Sequence, residues 1–141
     1  MNKEELIKRV RALTLPIGQY VVFGSGPMAA HGIRTTRDID ILVTTDLYEK
    51  LKEEGWKVQH WDSGAEYLAQ GIFEVDDSWN YEPYNPTPED IIKIAEIIDG
   101  IPFAPLEEVL KWKKAFGREK DRAHISLLED YLSNTGNIEK L

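Results

Sequence analysis

The spacing of hydrophobic residues divides the chain into helix-like and strand-like segments. In residues 3–13, Leu6, Ile7 and Val10 recur at helical spacing among charged residues, which predicts an amphipathic helix. β-Branched and aromatic runs at residues 19–23 and 38–43 predict two strands. The same criteria predict helices at residues 27–31, 47–54, 87–97, 106–116 and 119–132, strands at 56–61 and 67–75, and a loop at 78–86.

Local signals mark several of these boundaries and indicate the fold class. Thr87 followed by Pro88 is typical of a capped helix start, and Gly117 separates the last two predicted helices. Residues 133–141 are polar and are predicted to fray. The mixed order of elements, without an internal repeat or a linker, predicts one α+β (mixed α/β) domain over residues 1–141.

Composition and charge narrow the range of functions. The 141 residues carry a formal net charge of −8, and an acidic surface disfavours binding to nucleic-acid backbones or anionic lipid. The absence of cysteine excludes disulfides, thiolate zinc sites and a cysteine nucleophile. The charged N-terminal segment and the lack of a long apolar run predict a cytoplasmic protein with no membrane partner.

Two carboxylates open the second predicted strand. Strand alternation places Asp38 and Asp40 on one face, where two acids repel each other unless a cation lies between them. Divalent cations such as Mg²⁺ prefer carboxylate oxygens. Upstream, Gly24 and Ser25 end the first strand at a predicted helix N-terminus, where backbone N–H groups favour a phosphate. Each signal alone is common, but their order on consecutive strands is a stronger indication of a metal and phosphate site.

Two segments of the chain carry a recognisable signature. The first reads hydrophobic-Gly-Ser and then Arg-x-Thr-x-Asp-hydrophobic-Asp, in Phe23, Gly24, Ser25 and residues 32–41. The second matches Leu-x-x-Leu-x-x-x-Lys and Gly-Arg-x-Lys-Asp, in Leu106, Val109, Leu110, Lys113, Gly117, Arg118, Lys120 and Asp121. Together they resemble the nucleotidyltransferase superfamily of DNA polymerase β type, closest to the small bacterial branch with aminoglycoside and lincosamide enzymes. His124 departs from the pattern, which has an aspartate at that position.

The resemblance implies both a fold and a reaction. The fold would be a mixed twisted sheet with helices packed on it and a C-terminal helix hairpin. The reaction would transfer a nucleoside monophosphate from a nucleoside triphosphate to a hydroxyl group. Two Mg²⁺ ions would be held by Asp38, Asp40 and a third carboxylate, and Gly24 and Ser25 would hold the triphosphate.

The third carboxylate is expected within residues 71–77. Glu74 and Asp76 alternate with Phe73 and Val75, so both acids face away from the apolar side of the strand. Glu74 lies between two hydrophobic residues, as in the family pattern, and is chosen to bind metal and to take the proton from the attacking hydroxyl. Asp76 is the alternative. If Glu74 has no functional role, it is simply an acid on the solvated face of an edge strand.

A lysine and an aspartate lie within the apolar stripes of the last two helices. Lys113 lies in the stripe of Leu106 and Val109, and Asp121 lies in that of the following helix. Both are four positions from Gly117, so an antiparallel helix pair would bring them together. The pair predicts a buried clamp, or a lysine that reaches a phosphate in the active site, and the two roles are compatible.

Other residues near these motifs give weaker indications. Arg34 matches the family pattern and is expected to steer the triphosphate, whereas Arg37 is expected to be a surface residue and His31 a packed or capping residue. Aromatic residues of the middle third are expected to pack in the core or the loop, although some could line an acceptor pocket. They are Trp56, Trp61, Trp79, Tyr81 and Tyr84. Nearby acids would favour a cationic acceptor.

Three functions follow from these observations. The first is metal-dependent nucleotidyl transfer to a hydroxyl of a small-molecule acceptor, with a nucleoside triphosphate as co-substrate. The second is a nucleotidyltransferase toxin that modifies a macromolecule, and the charge of −8 argues against RNA as its target. The third is a non-catalytic nucleotide-binding module, against which the intact Asp38 and Asp40 argue. A chain of this length is expected to have no separate acceptor domain, so a homodimer is one way to complete the pocket.

Overall fold

The computed structural model describes residues 1–135, and residues 136–141 lie outside the described part. Six α-helices are present in residues 1–135: α1 (Lys3–Ala12), α2 (Gly26–Ala30), α3 (Thr45–Glu53), α4 (Pro88–Lys93), α5 (Leu106–Phe116) and α6 (Arg122–Asn134). Seven strands lie in the same range: β1 (Tyr20–Phe23), β2 (Ile39–Val43), β3 (Lys57–His60), β4 (Glu66–Gln70), β5 (Phe73–Asp76), β6 (Glu96–Ile98) and β7 (Ile101–Phe103). A 3₁₀ turn, Glu119–Asp121, leads into α6. The α+β class predicted from the sequence is confirmed.

The strands form one mixed sheet in the order β3-β4-β5-β2-β1-β7-β6. The pairs β2–β5 and β1–β7 are parallel, and the remaining pairs are antiparallel. The antiparallel pair β1–β2 and the parallel pair β2–β5 bring the end of β1 beside the starts of β2 and β5 in the middle of the sheet, where the predicted site residues lie. No helix in residues 1–135 is long and apolar enough to cross a membrane.

Strand alternation builds a separate core on each face of the sheet. On β1, Tyr20 and Val22 face the first core, and Val21 and Phe23 face the second. The first core is covered by α1 and α3, through Leu6, Ile7, Val10, Leu47, Tyr48 and Leu51. The second core is covered by α4, α5 and α6, through Ile91, Leu106, Val109, Trp112 and Leu128. The predicted C-terminal helix hairpin, α5 followed by α6, is confirmed and packs on the second face.

The helix after Thr87 begins where the sequence predicts, but it ends four residues before its predicted end. Thr87 and Asp90 form a reciprocal capping box, in which the Thr87 side chain accepts from the Asp90 N–H at 3.1 Å. The helix ends at Lys93, so the prediction of a helix as far as residue 97 is wrong. The following residues form the hairpin of β6 and β7, which the sequence analysis missed.

The missed hairpin has a physical cause in its two-residue loop. Asp99 and Gly100 both have positive φ, 50° and 83°, which is the conformation that Asp-Gly loops adopt between antiparallel strands. β7 then pairs in parallel with β1, through Val22 and Phe103, and is buried. Pairing with a strand distant in the chain therefore overrides the local helical spacing.

Residues 67–75 form two strands instead of the predicted one. Gly71, with φ of 59°, turns the chain between β4 and β5, and the two strands pair antiparallel. This turn places β5 against β2. At the C-terminus, α6 continues through Asn134, beyond the predicted end of the helix at residue 132. The predicted fraying of residues 136–141 concerns positions outside the described residues.

Candidate active site

Asp40 and Glu74 lie directly opposite each other on the parallel strands β2 and β5. Registered neighbours of a parallel pair project to the same face, so the two carboxyl groups meet and share a hydrogen bond. Burial raises the pKa of Asp40 to about 8, and the charge and hydrogen bond of Glu74 act in the same direction. Asp38 and Asp76 add smaller repulsive contributions. In the absence of a cation, this carboxyl pair holds a proton at neutral pH.

The turn after β1 lies against the same carboxyl group. Gly24 has φ of 64°, and a Cβ atom added to it would lie 2.2 Å from Oδ2 of Asp40. Only glycine therefore allows the backbone of the turn and the carboxylate to approach this closely. Ser25 follows at the start of the five-residue helix α2, where its side chain forms no capping hydrogen bond. The predicted glycine turn and the predicted carboxylate strand are thus in contact.

Asp38 lies one residue before β2 and is exposed, so the prediction that the strand begins at Asp38 is off by one position. Its charge nevertheless contributes to the raised pKa of Asp40. Within residues 1–135, no three Asp, Glu or His side chains are gathered into a set that could hold a metal ion as they stand.

Asp76, the alternative third carboxylate, is buried two residues further along β5. It accepts a hydrogen bond from Nε1 of Trp61 at 3.2 Å, and Trp61 stacks on Tyr67 with 3.8 Å between ring centroids. Burial raises the pKa of Asp76 to about 7, although the Trp61 hydrogen bond opposes the shift. Glu74 is therefore the acid opposite Asp40, whereas Asp76 has an indole partner. The choice of Glu74 as metal ligand and base stays a prediction.

Lys113 and Asp121 meet at the junction of α5 and α6 as predicted, although Asp121 lies in the 3₁₀ turn before α6 and not on the apolar stripe of that helix. Nζ of Lys113 lies 3.3 Å from Oδ1 of Asp121, and the two side chains are each 1% exposed. Arg118 also binds Asp121 through two hydrogen bonds, of 2.7 and 3.0 Å. Burial lowers the pKa of Lys113, against the opposing effect of Asp121. The clamp is present, and it includes Arg118, which the sequence analysis assigned no role.

His124 joins this cluster to Arg34. Nζ of Lys113 donates to Nδ1 of His124 at 3.1 Å, and Nη1 of Arg34 contacts both ring nitrogens. Nε of Arg34 donates to the carbonyl of Thr35 at 2.9 Å. Burial, then the charges of Lys113 and Arg34, lower the pKa of His124 to about 4, so the ring is neutral at pH 7. The sequence analysis gave His124 no role. The one sign in the sequence that this position is unusual is the histidine itself, where the resembling pattern has an aspartate.

Tyr81 lies between the carboxylates and the cation cluster. Its pKa is raised by burial and then by the charges of Asp76 and Asp40, while Arg118 opposes the shift. Its ring packs on Phe116, with 4.4 Å between centroids. Tyr81 is therefore close enough to feel both the carboxylates of β2 and β5 and the cation of Arg118.

The structure also places Arg37 and His31, the two residues that the sequence predicts to have no catalytic role. Arg37 is exposed, as expected. His31 is held by Glu96 at 2.6 Å and Tyr131 at 3.3 Å, which agrees with a packed histidine. A cavity of about 620 Å³ lies beside Arg34, lined in addition by Lys3, Glu4, Ala30, His31 and Thr35 among others. None of the carboxylates at positions 38, 40, 74 and 76 lines this cavity.

Neither a protein-family model nor a curated protein matches the chain. The site is therefore defined by its own geometry: a glycine turn against a carboxyl pair, and a buried cation cluster on the neighbouring helix hairpin.

Proposed function

We propose that the protein is a nucleotidyltransferase of the DNA polymerase β type that transfers a nucleoside monophosphate to a hydroxyl group of a small-molecule acceptor. One observation carries the proposal: Gly24, Asp40 and Glu74 come from three separate segments and meet at one point. A turn that accepts phosphate and an acid pair that attracts divalent cations are the two parts that this reaction needs at short range.

The carboxylates fit Mg²⁺ in their chemistry, since hard carboxylate oxygens are the ligands that it prefers. Burial and the charge of Glu74 raise the pKa of Asp40, so a cation beside the two carboxyl groups would relieve their repulsion. Asp38, Asp40 and Glu74 would hold two Mg²⁺ ions. When bound, the ions supply positive charge that stabilises the transferred phosphoryl group.

The side chains of this chain then have distinct roles in the reaction. Gly24 and Ser25 hold the triphosphate by the backbone of the turn, and Arg34 and Lys113 attract its charge. The acceptor oxygen forms a bond to the α-phosphorus as the bond to the pyrophosphate oxygen breaks, and Glu74 accepts the hydroxyl proton. The cytoplasm supplies both Mg²⁺ and nucleoside triphosphates, so the proposal retains that location.

The acceptor would approach the face of the sheet that carries the Asp76 side chain of β5. Trp61, Tyr67 and Asp76 lie there, and their stacked rings and buried carboxyl group favour a small cationic acceptor. A macromolecular acceptor, as in nucleotidyltransferase toxins, remains the alternative within the same chemistry, and the charge of −8 disfavours RNA. A homodimer would be one way to enclose the acceptor.

A second candidate, a nucleotide-binding module without catalysis, is favoured by one observation. The carboxylates in residues 1–135 are not gathered into a metal-ligand set. A module of this kind would bind the nucleotide through Gly24, Arg34 and Lys113 without transferring any part of it.

Thermal unfolding with Mg²⁺ and each nucleoside triphosphate tests the binding step. A ligand at 100 times its Kd stabilises the folded state by about 2.7 kcal/mol, which raises Tm by several degrees. The double variant Asp38→Asn with Asp40→Asn should lose most of this shift. The matched control, Glu53→Gln with Glu54→Gln at the end of α3, makes the same change in charge at exposed positions and should retain it.

A transfer assay separates the two candidates. Nucleoside triphosphates labelled at the α-phosphate are incubated with Mg²⁺ and a panel of amino-sugar, lincosamide, tRNA and protein acceptors. Labelled product that disappears in Glu74→Gln supports the enzyme. A Tm shift without product from any acceptor favours the module, and a full shift in the Asp38 and Asp40 double variant contradicts both the metal assignment and the proposed mechanism.

A further inference from the structure

The sheet ends in two edge strands, β3 and β6, which differ in the backbone groups that they leave free. In β6, the two-residue loop makes Ile98 and Ile101 a hydrogen-bonded pair, so Ile97 directs its N–H and C=O groups away from β7. At the same end of β6, Arg11 donates to the carbonyl of Asp99 at 2.6 Å. β6 therefore offers the free groups of one residue, in a strand that is three residues long.

β3 offers a longer free edge. The N–H group of Trp61 donates to the carbonyl of Ala65 at 2.9 Å, which continues the pairing of β3 with β4. Backbone groups of successive residues in a strand point to opposite sides, so Val58 and His60 direct theirs away from β4. Within residues 1–135, no strand pairs with β3 on that side. These two residues therefore leave both of their N–H groups and both of their C=O groups without a strand partner.

An edge of this kind is complementary to a second copy of itself. In an antiparallel pair around a two-fold axis at Gln59, Val58 lies opposite His60 of the partner subunit, and all the free groups of both copies are paired. A register shifted toward Trp56 leaves the His60 carbonyl without a donor, since the N–H of Trp56 already donates to a carbonyl of α3 at 3.1 Å. A shift the other way pairs Val58 with Asp62, which lies in a turn. The free groups therefore favour the register centred on Gln59.

The side chains of β3 suit the same register. Lys57 lies opposite Trp61 of the partner subunit, a residue that is 37% exposed and is followed by Asp62. A lysine at a sheet edge hinders pairing with an apolar edge, but here it meets an aromatic ring and an acid, and both attract it. Val58, which is 36% exposed, is covered by the partner strand. None of the facing pairs joins like charges.

We propose that the protein forms a homodimer in which β3 pairs with β3 of a second copy, antiparallel around a two-fold axis at Gln59. The two sheets join into one continuous sheet across this edge. The pairing also closes an edge that is otherwise a template for aggregation.

The dimer adds a residue to the face of the sheet that carries the carboxylates. Lys57 pairs with Ala69, and Ala69 pairs with Glu74, so Lys57 lies on the same face as Glu74. In the dimer, the partner's Lys57 lies beside Trp61, which donates to Asp76. That this lysine borders the acceptor surface rests on the proposed function, whereas the pairing of β3 does not.

Cysteine crosslinking tests both the pairing and its register, because the chain contains no cysteine of its own. Gln59→Cys places two thiols on the axis in a non-hydrogen-bonded pair, with Cα atoms about 4.5 Å apart, a separation that a disulfide spans. Val58→Cys is the matched control, since its two copies lie diagonally across the axis, about 7–8 Å apart. With oxidised glutathione, Gln59→Cys should form a disulfide-linked dimer on non-reducing gels, and Val58→Cys should remain monomeric. Crosslinking of Val58→Cys alone, equal crosslinking of both variants, or none in either would overturn the pairing.

Sedimentation velocity over a range of protein concentrations tests the dimer without an added cysteine. The wild type should show a monomer–dimer equilibrium, and Val58→Pro, which removes an outward N–H group, should weaken dimerisation by about tenfold or more. Ile97→Pro removes the corresponding N–H group of β6 and is the matched control. A wild type that is monomeric at every concentration, or an equal loss in the control, would overturn the dimer.

Lys57→Glu covers the case in which Val58→Pro does not fold. The substitution replaces attraction to the partner's Trp61 and the partner's Asp62 by repulsion, and it should weaken dimerisation by about threefold or more. Lys50→Glu makes the same change in charge at an exposed position of α3 and should dimerise as the wild type does. Equal dimerisation of the wild type and Lys57→Glu would contradict the proposed register.

These experiments distinguish the dimer from the proposed function. Crosslinking through Gln59→Cys, together with no nucleotide-dependent Tm shift and no transfer, supports the dimer and removes the nucleotidyltransferase. A protein that transfers a nucleotide and is monomeric in both experiments removes the dimer and retains the nucleotidyltransferase.

Discussion

Gly24 and Asp40 are in direct contact, so that the turn after β1 forms one wall of the carboxylate site. A Cβ atom on Gly24 would lie 2.2 Å from Oδ2 of Asp40 and 3.0 Å from its Cγ. A glycine at this position therefore allows both the positive φ of the turn and the close approach of the Asp40 carboxyl group. This relationship links two sequence motifs that are separate in the chain, and it allows the site to be tested at a residue that carries no charge.

Gly24→Ala is expected to displace Asp40 and to weaken nucleotide binding. The positive φ of 64° costs an L-residue roughly 1–2 kcal/mol, and the new methyl group clashes with the carboxyl group as well. Gly100→Ala is the matched control, since Gly100 has φ of 83° and no atom within 4 Å of an added Cβ. Urea unfolding should show a loss of stability in both variants. Only Gly24→Ala should lose most of the Tm shift with Mg²⁺ and nucleoside triphosphate, and equal shifts in the two variants would contradict the role of this wall.

The raised pKa of Asp40 predicts that stability without divalent cations falls as pH rises. The unfolded chain loses this proton near pH 3.8, and the folded protein keeps it until about pH 8. Between these values the folded state binds more protons, so the free energy of unfolding decreases with pH. Asp76, with its pKa raised to about 7, acts in the same direction.

Asp40→Asn tests this dependence. The amide removes one of the two contributions, so urea unfolding at pH 5, 6, 7 and 8 should show a smaller slope than in the wild type. Stability at pH 8 should be equal or higher, because the variant carries no charge beside Glu74. Identical slopes in the two proteins would show that the Asp40 carboxyl group is ionised throughout this range.

Asp121 is expected to matter more for stability than its partner Lys113. Asp121→Ala leaves the ammonium group of Lys113 buried without a carboxylate, which costs about 3–5 kcal/mol. Lys113→Met should cost less, because Asp121 keeps its two hydrogen bonds to Arg118. Lys114→Met is the control, since Lys114 and Glu129 form an exposed ion pair between the same two helices and its loss should change stability little. Urea unfolding measures all three, and an Asp121→Ala cost no larger than that of the control would rule out a buried clamp.

The double variant Lys113→Met with Asp121→Leu separates the clamp from a role in binding. Apolar residues of similar size should recover most of the stability lost in the single variants, and Arg118 is exposed enough to be hydrated. If Lys113 contacts a phosphate, the recovered protein should still bind the triphosphate poorly, because no apolar residue replaces a charge-assisted hydrogen bond. Full stability with full affinity would assign Lys113 to the clamp alone.

Trp61→Phe should raise the pKa of Asp76. The indole N–H lowers that pKa through its hydrogen bond of 3.2 Å, and phenylalanine retains a ring for stacking on Tyr67 but has no donor. Trp79→Phe is the matched control, because Nε1 of Trp79 has no hydrogen-bond partner among the described residues. Carboxyl NMR titration of Asp76 should show an upward shift in the first variant alone. An unchanged value would mean that the indole does not hold the carboxylate in solution.

The sequence alone determined the features that depend on local order. Helical spacing located α5 to its ends, Leu106 and Phe116, and predicted that Lys113 and Asp121 meet. The glycine turn at Gly24 and the acid strand at Asp40 were also visible, because turn chemistry and strand alternation involve only neighbours in the chain. These features are enough to predict the α+β class and the two halves of the site.

Tertiary structure decided which of these parts meet. The parallel register of β2 and β5 selects Glu74 as the residue opposite Asp40, and no local pattern encodes a register between distant strands. The contact of Arg34 with His124 likewise depends on how α6 packs, and β7 is a strand because β1 offers it a partner. Local spacing determines whether a segment can form a helix or a strand. Pairing between distant segments determines which residues become neighbours in space, because those contacts gain their free energy only when the whole sheet and its helices are assembled.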